Sequence, residues 1–277
     1  TIKAFENYMQ ANHGKASSGN WTSMGPDIMP TGADRVSGIG RVNAVAFHPY
    51  DSSILYAGAP SGGLWISRDG GDNWETTTDN LPSLGVSAIA ISHANPNHIY
   101  IGTGDRDADD AMGIGIYKSF DGGYTWEPMN EGMGNVIVGD LLLNPHNAES
   151  LIAGTSDGIY ISHKAGQSWE FVELGDFWDL EYKPGDTTTV YGSNQSGGTF
   201  YRSLDGGLNW EQIDLPRSSS RTAIAVTPAN PNVVYATLSS GAVFNGFVKS
   251  TNSGQTFTVQ STTPNILGRS YSGSDNE

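Results

Sequence analysis

The chain of 277 residues contains 36 glycines, no cysteine, and 29 acidic against 14 basic side chains, which gives a formal net charge of −15. This charge argues against nucleic acid and anionic membrane surfaces as partners, because both attract basic proteins. Without cysteine, a disulfide framework, a zinc–thiolate site and a cysteine nucleophile are excluded, and no apolar run is long enough to span a bilayer.

Residues 1–20 are predicted to form an N-terminal segment with one short helix at residues 4–11. Residues 21–26 begin with a tryptophan that follows Gly-Asn, which resembles the end of a motif that recurs five times further along the chain. We predict that residues 21–26 form a lone outer strand that closes the last blade of a radial array. Because the first residue is a threonine, we expect either a removed leader or a piece of a longer chain.

An eight-residue motif with the pattern Ser-x-Asp-x-Gly-x-x-Trp recurs through the rest of the chain. Its copies are residues 67–74, 119–126, 162–169, 203–210 and 250–257. The closing aromatic residues of successive copies are separated by 41 to 52 residues. A period in this range indicates an architecture built from repeated units.

The motif is predicted to form the turn of a β-hairpin rather than a catalytic site. Asp and Asn side chains bind backbone N–H groups two residues on, and glycine adopts positive φ without steric cost. The closing aromatic residue then packs over the turn. Structural roles are assigned to Asp69, Trp74, Asp121, Trp126, Trp169, Asp205, Trp210 and Phe257. Lys164 and Asn252 replace the aspartate in two copies, which a turn tolerates and a catalytic site does not.

Each repeat contains the same four strand-like runs, and the first of them is small and apolar. Four antiparallel strands repeated radially predict an all-β fold, the β-propeller, in which closure leaves each blade between two neighbours. Five full blades are predicted at residues 41–78, 85–130, 136–174, 177–214 and 221–261. Residues 262–277 are predicted to start a further blade, so we expect an incomplete ring.

The repeated Ser-x-Asp-Gly-Gly-x-x-Trp resembles the Asp-box, or BNR, repeat. The resemblance covers residues 21–277 and implies a propeller similar to those of sialidases, xyloglucan-cleaving endoglucanases and sortilin-type receptors. Residues 100–119 and 263–268 are most similar to large secreted proteins of Bacteroidota, which carry further domains and a signal for type IX secretion. The resemblance therefore implies a secreted or cell-surface protein, but the box is specific for a fold rather than a function.

Two enzyme families within this resemblance use residues that the sequence lacks at the matching positions. A sialidase places the first arginine of its triad in a Tyr-Arg-Ile-Pro-like strand, whereas residues 40–43 are Gly-Arg-Val-Asn. Arg41 and Arg221 still open two first strands, where they bind a ligand in the channel or pack at its rim. A xyloglucanase has its nucleophile in a run like Arg-Thr-Asp-x-Gly-Gly, and Pro60 stands in place of that aspartate.

The second repeat is longer than the others because residues 105–112 lie between its second and third strands. Loops at this position open onto the face where propellers bind ligands. Asp105, Asp107 and Asp109 alternate along the loop and are candidate ligands for Ca²⁺, which prefers oxygen atoms. The loop lacks the glycine and the final glutamate of an EF-hand. The alternatives are a solvated acidic loop, or an Asp105 that caps the local backbone while the rest of the loop is exposed.

Trp178 and Asp179 interrupt the small first strand of the fourth blade, and Asp140 lies in that of the third. Trp178 either packs in the core or presents its ring to the central channel, where sugar or peptide rings stack. Together with Arg41 and Arg221, these residues form the predicted ligand site. The predicted function is a binding or scaffold module for a protein or polysaccharide, with other blades or domains of a larger exported protein as partners. A glycoside hydrolase with carboxylates on the same face is the alternative.

Overall fold

The computed structural model describes residues 41–107, 111–195, 197–241 and 243–267. These residues form five four-stranded antiparallel sheets, and the strands of every sheet are neighbours in the order in which the chain visits them. The all-β propeller predicted from the repeats is confirmed. Within the described ranges, no helix has the length and hydropathy needed to cross a bilayer.

The five sheets are the blades of the propeller. Blade 1 contains β1 (Ala44–Phe47), β2 (Leu55–Ala59), β3 (Gly63–Ser67) and β4 (Glu75–Thr76). Blade 2 contains β5 (Val86–Ile91), β6 (Ile99–Thr103), β7 (Ile116–Ser119) and β8 (Glu127–Pro128). Blade 3 contains β9 (Val138–Leu143), β10 (Leu151–Thr155), β11 (Gly158–Ser162) and β12 (Glu170–Leu174). Blade 4 contains β13 (Phe177–Lys183), β14 (Asp186–Asn194), β15 (Phe200–Ser203) and β16 (Glu211–Ile213). Blade 5 contains β17 (Arg221–Val226), β18 (Val234–Ser240), β19 (Val243–Ser250) and β20 (Thr258–Ser261).

The strands lie within the five blade ranges predicted from the sequence. The predicted N-terminal segment at 1–20 and the predicted outer strand at 21–26 lie outside the described residues. Of the further blade predicted at 262–277, the structure describes residues 262–267, and these form no strand. Both end assignments therefore stay predictions.

The hydrophobic core lies between the blades rather than inside them. The first strand of each blade packs on the blade before it, as β5 packs on β1 and β2. Four buried clusters result, one at each interface between successive blades. The cluster between blades 1 and 2, for example, contains Tyr56 and Ile66 from one side and Ile99 and Tyr117 from the other. Each blade is therefore stabilised mainly by its neighbours.

A glycine near the middle of the second strand allows the next blade to approach closely. A Cβ placed on Gly58 would lie 2.8 Å from the carbonyl oxygen of Val86, in the first strand of blade 2. A Cβ on Gly102 would lie 2.5 Å from Cγ1 of Val138, in the first strand of blade 3. The recurrent glycine of the second strand thus sets the distance between blades near the channel.

In an Asp-box turn, the serine and the aspartate bind the backbone of the turn itself. The Ser119 hydroxyl donates to Asp121 at 2.7 Å and accepts the Gly123 N–H at 2.8 Å. Asp121 also accepts the hydroxyl and the N–H of Thr125, at 2.6 and 2.9 Å. These hydrogen bonds lower the pKa of Asp121 to about 2, and the bond from the Thr125 hydroxyl contributes most. The equivalent aspartates of the other complete copies are Asp69 and Asp205.

The two copies that lack the aspartate retain the serine and the second glycine. Asn252 accepts a backbone N–H of its own turn at 3.0 Å, as an aspartate does. In the third copy, the Ser162 hydroxyl still accepts the Gly166 N–H at 3.0 Å. Ala165 and Ser253 have φ values of 54° and 56° where the other copies have glycine. The turn is therefore kept even where the motif is incomplete.

The closing aromatic residues of the motif contact the preceding blade. Trp126 donates its indole N–H to the Thr77 hydroxyl of blade 1 at 3.1 Å. Trp169 donates to the Met129 carbonyl of blade 2 at 2.8 Å. The two later aromatic residues lie in the clusters between blades: Trp210 and Phe257. The aromatic residue therefore stabilises an interface as well as its own turn.

The second glycine of the motif also rests on the preceding blade. Gly123 has a φ of +94°, and a Cβ on it would lie 2.6 Å from Cδ1 of the buried Ile66. Gly71 of the first copy has a similar φ of +101°, but a Cβ there would lie 3.5 Å from Leu55 of its own blade. The two glycines therefore adopt the same backbone conformation and differ in their contact with another blade.

We expect Gly123→Ala to lower the free energy of unfolding by about 1–3 kcal/mol more than Gly71→Ala, because only Gly123→Ala overpacks an interface. Both substitutions strain a left-handed backbone by about 1–3 kcal/mol, so Gly71→Ala is the matched control. Chemical denaturation followed by tryptophan fluorescence measures both losses. Equal losses in the two variants would contradict the proposed contact with Ile66.

Candidate functional site

The loop between β6 and β7 contacts the inner ends of the four other described blades. Asp107 Oδ1 lies 2.5 Å from Nη2 of Arg221, at the start of blade 5. Arg106 Nη2 donates to the Asn43 carbonyl of blade 1 at 3.1 Å, and its Nη1 donates to the Gly139 carbonyl of blade 3 at 2.9 Å. The longer second repeat therefore links the inner ends of its two neighbouring blades and of blade 5, which is not its neighbour in the chain.

Arg106 is the side chain on which the contacts of this loop converge. Its Nη1 also reaches the Trp178 carbonyl at 3.4 Å, so carbonyls from blades 1, 3 and 4 hold the guanidinium group. The Nε atom of Arg106 is buried and has no hydrogen-bond partner among the described residues. A buried N–H without an acceptor costs free energy, so a bound acceptor at this position would be stabilising.

Asp105 anchors the start of the loop and is fully buried. Its carboxylate accepts the side-chain amide of Asn43 at 3.0 Å and the Asp107 N–H at 3.1 Å. It also forms an ion pair with Arg41. By accepting the Asp107 N–H, Asp105 caps the local backbone. This contact agrees with the interpretation of Asp105 as a backbone cap rather than a metal ligand.

The predicted Ca²⁺ ligands have different surroundings. Asp105 and Asp107 are each paired with an arginine, and Asp109 lies outside the described residues. Within the described ranges, no group of three or more acidic or histidine side chains is arranged to hold a metal ion. Ca²⁺ binding by these three aspartates therefore stays a prediction.

Asp140 and Asp179 join neighbouring inner strands. Asp140 Oδ2 accepts the Leu180 N–H of blade 4 at 2.9 Å. Asp179 Oδ2 accepts the Ile224 N–H of blade 5 at 2.6 Å. The two carboxyl groups therefore connect blades 3, 4 and 5 in series along the channel.

Burial raises the pKa of three carboxyl groups on these strands. The pKa of Asp179 rises to about 7, through burial first and the charge of Asp140 second. Glu181 lies two residues after Asp179 and so projects from the same face of β13. Its pKa rises to about 8, through burial and then the charges of Asp179 and Asp140. Burial also raises the pKa of Asp140. Burial therefore favours the protonated forms of these carboxyl groups.

A cavity of about 140 Å³ lies between the inner strands of blades 4 and 5. Its lining includes an indole, two guanidinium groups, a carboxyl group and two amides, from Arg106, Trp178, Asp179, Asn194, Gln195 and Arg221. A cavity of roughly 150 Å³ holds one benzene molecule. The space therefore fits a single ring-sized group surrounded by hydrogen-bonding side chains.

Trp178 combines a packed ring with a free indole N–H. Its ring lies over the backbone of blade 3, where a Cβ on Gly139 would be only 2.6 Å from Cε3 of the indole. Its Nε1 is buried and has no hydrogen-bond partner in the part of the chain that the structure describes. The residue thus packs against a neighbouring blade and also lines the cavity.

The structure brings together three of the five residues predicted to bind a ligand. Trp178, Asp179 and Arg221 line the cavity between blades 4 and 5. Arg41 instead pairs with the buried Asp105, and Asp140 binds the backbone of blade 4. Three of the predicted residues therefore line the cavity, and the other two bind neighbouring parts of the protein instead.

Two residues of the site were missed by the sequence reasoning. Arg106 lies within the run of aspartates that was interpreted as a cation-binding loop, and a lone arginine among four acidic residues was the available signal. Glu181 lies two residues after Asp179 in a first strand. This spacing was the available signal, because residues two apart in a strand project from the same face.

Comparison with known proteins agrees with this fold. The model of the BNR/Asp-box repeat matches residues 117–128. The oligoxyloglucan reducing end-specific xyloglucanase of Emericella nidulans is 26% identical over 200 residues, covering 64% of this chain and 24% of that enzyme. The sortilin of Danio rerio is 23% identical over 186 residues, covering 58% of this chain and 21% of that protein. The chain is an Asp-box β-propeller. It resembles the propellers of xyloglucanases.

A solved structure supports the same architecture. The ancestral GH74 enzyme aligns with a TM-score of 0.65 at 24% identity, covering 83% of this chain and 31% of that chain. At this identity the likeness establishes the propeller fold alone. The chain spans about a quarter of the length of the curated relatives described above.

We expect Glu181→Gln to raise the Tm by about 2–8 °C above pH 8 and to leave it unchanged near pH 5. The pKa of Glu181 is about 8 in the folded protein against its ordinary value of 4.5. Its contribution is therefore fully favourable below pH 4.5 and is lost as the pH rises through 8. Glu170→Gln, on the exposed strand β12, is the control. A gain of the same size at both pH values would show that the effect is not ionisation.

Proposed function

We propose that the chain is a carbohydrate-binding propeller module that holds one sugar unit of a polysaccharide in the cavity between blades 4 and 5. The observation that carries this proposal is the combination of Trp178 with guanidinium, carboxyl and amide groups in one ring-sized cavity. Binding sites of this kind pair an apolar wall with a few polar groups that fix orientation. A sugar ring suits both, because its faces are apolar and its edge carries hydroxyl groups.

The hydrogen-bonding groups of the cavity match hydroxyl groups. Arg106 Nε and Trp178 Nε1 are buried donors without protein acceptors among the described residues. Asp179 has a pKa of about 7 and so both accepts and donates near neutral pH.

The similarity to xyloglucanases supports xyloglucan as the polysaccharide to test first. The similar region covers only part of those enzymes, so binding by this chain is a separate property from their hydrolysis. A protein ligand, which the sequence also allows, has no comparable support.

We expect Trp178→Ala to weaken binding of xyloglucan oligosaccharides by about tenfold or more, because the aromatic wall of the cavity is lost. Trp178→Phe keeps a ring but removes the N–H, and an intermediate loss is expected. Calorimetric titration measures both changes. Tyr124→Ala is the control, because Tyr124 is an exposed aromatic residue of an Asp-box turn. Wild-type affinity in Trp178→Ala would exclude this cavity as the site.

A glycoside hydrolase is the second candidate function. Asp140, Asp179 and Glu181 supply three neighbouring carboxyl groups, and their raised pKa values are of the kind that a general acid requires. Hydrolysis needs two carboxyl groups at the scissile bond. The position of the nucleophile in the xyloglucanase resemblance is occupied by Pro60, in the turn after β2, so these inner-strand groups are the candidates.

The binding-module proposal predicts no release of reducing sugar from xyloglucan under conditions where binding is saturated. The hydrolase alternative predicts release that falls by about 100-fold or more in Glu181→Gln or Asp179→Asn, because an acid or base contributes at least this factor. Glu170→Gln is again the control. Reducing-end assays on the wild type and the three variants distinguish the two functions.

We further propose that the module is part of a larger secreted or cell-surface protein, with other blades or domains as neighbours. The Asp-box resemblance and the greater length of the relatives support this setting. Type IX secretion and Ca²⁺ binding are predictions from the sequence that the relatives do not address.

A further inference from the structure

The connection between the second and third strands is longer in blade 2 than in the other described blades. Residues 104–115 separate β6 from β7, whereas residues 60–62 join β2 to β3 and residues 156–157 join β10 to β11. The extra residues do not stay beside their own blade, since Asp107 forms an ion pair with Arg221 at the start of blade 5. The longer connection therefore supplies a contact to a blade that is distant in the chain.

The backbone that carries Asp107 is held in place by buried contacts. The Asp107 N–H donates to the carboxylate of Asp105 at 3.1 Å. Asp105 is fully buried and is itself paired with Arg41. Arg106, which immediately precedes Asp107, donates to backbone carbonyls of blades 1, 3 and 4. The Asp107 carboxylate therefore projects from a part of the loop that several blades fix.

The two members of the ion pair have different relations to the cavity between blades 4 and 5. Arg221 lines this cavity, whereas Asp107 lies outside its lining. Nη2 of Arg221 lies 2.5 Å from Oδ1 of Asp107. Asp107 therefore reaches a group bound in the cavity through Arg221 rather than by direct contact.

The geometry of a guanidinium group makes this indirect contact effective. The group is planar and its N–H donors point in fixed directions, so an ion pair at Nη2 of Arg221 also sets the directions of its other donors. A long side chain loses conformational freedom when a ligand fixes it, and a partner that fixes it beforehand reduces this loss. The ion pair with Asp107 therefore prepares Arg221 for binding.

We propose that Asp107 is a positioning residue for the cavity, which holds the Arg221 guanidinium group in the orientation that binds hydroxyl oxygens of the sugar unit. This inference rests on the proposed function, because it takes the cavity as the binding site. It assigns the longer connection of the second repeat to ligand binding between blades 4 and 5. The alternative is an ion pair that only joins two blades and leaves the affinity for the ligand unchanged.

A double-mutant cycle on ligand affinity separates these two roles. We expect Asp107→Ala and Arg221→Ala each to weaken binding of xyloglucan oligosaccharides by about tenfold in a calorimetric titration. The double variant is also expected to lose about tenfold, because Asp107 has nothing to position once the arginine is removed. Losses that multiply to about 100-fold in the double variant would overturn the proposal.

Two further variants match these substitutions. Asp107→Glu keeps the carboxylate and is expected to recover most of the affinity that Asp107→Ala loses. Asp157→Ala removes an exposed carboxylate from the equivalent connection of blade 3, and it is expected to bind like the wild type. Circular dichroism and the Tm verify that each variant is folded. An Asp107→Glu variant that binds as weakly as Asp107→Ala would contradict a role for the carboxylate.

The same titrations distinguish failure of this inference from failure of the proposed function. Wild-type affinity in Asp107→Ala, together with weaker binding in Arg221→Ala and Trp178→Ala, would overturn the positioning role and leave the cavity as the binding site. Wild-type affinity in Trp178→Ala, or a wild-type protein that binds no oligosaccharide, would overturn both.

Discussion

The contact between the second Asp-box glycine and the preceding blade is the constraint on which the rest of the structure depends. A side chain at Gly123 or Gly207 would enter the space of Ile66 or Ile152 in the blade before. Because the buried clusters lie between blades, none of the five described blades has a buried cluster of its own. A change at this glycine therefore opens an interface, whereas a change at the Asp-box aspartate disturbs the turn itself.

This constraint explains which positions of the motif vary. The aspartate binds the backbone of its own turn, and its replacement costs a hydrogen bond of about 0.5–1.5 kcal/mol. The first glycine has room beside it, since a Cβ on Gly70 would meet nothing within 4 Å. Ala165 and Ser253 occupy that position in the incomplete copies, while the second glycine is present in all five. The aspartate and the first glycine are thus positions at which the five copies differ, whereas the second glycine, which contacts the preceding blade, is kept.

The sequence was sufficient to predict the blades but not the site, for one physical reason. The repeated motif shows which residues the blades have in common. The conformation of each strand and turn depends on residues close in sequence and on the adjacent blade. The site lies where blades differ, and its contacts join distant parts of the chain. Spacing alone suggested a metal loop, because it could not show that Arg41 lies on Asp105, 64 residues away. Arg106 could not be predicted as the bridge, since its partners are backbone carbonyls, which carry no sequence signal.

The inner-strand carboxyl groups link the assembly of the propeller to the chemistry of its cavity. The Ile224 N–H favours the charged form of Asp179, but burial outweighs it and the pKa rises to about 7. One oxygen of this group therefore holds blade 5 in place while the residue lines the cavity. Arg106 comes from blade 2, Trp178 from blade 4 and Arg221 from blade 5. Because three blades supply these groups, the cavity exists only when they are stacked. A ligand bound there would in turn stabilise the stack, since it binds the folded arrangement and not the separated blades.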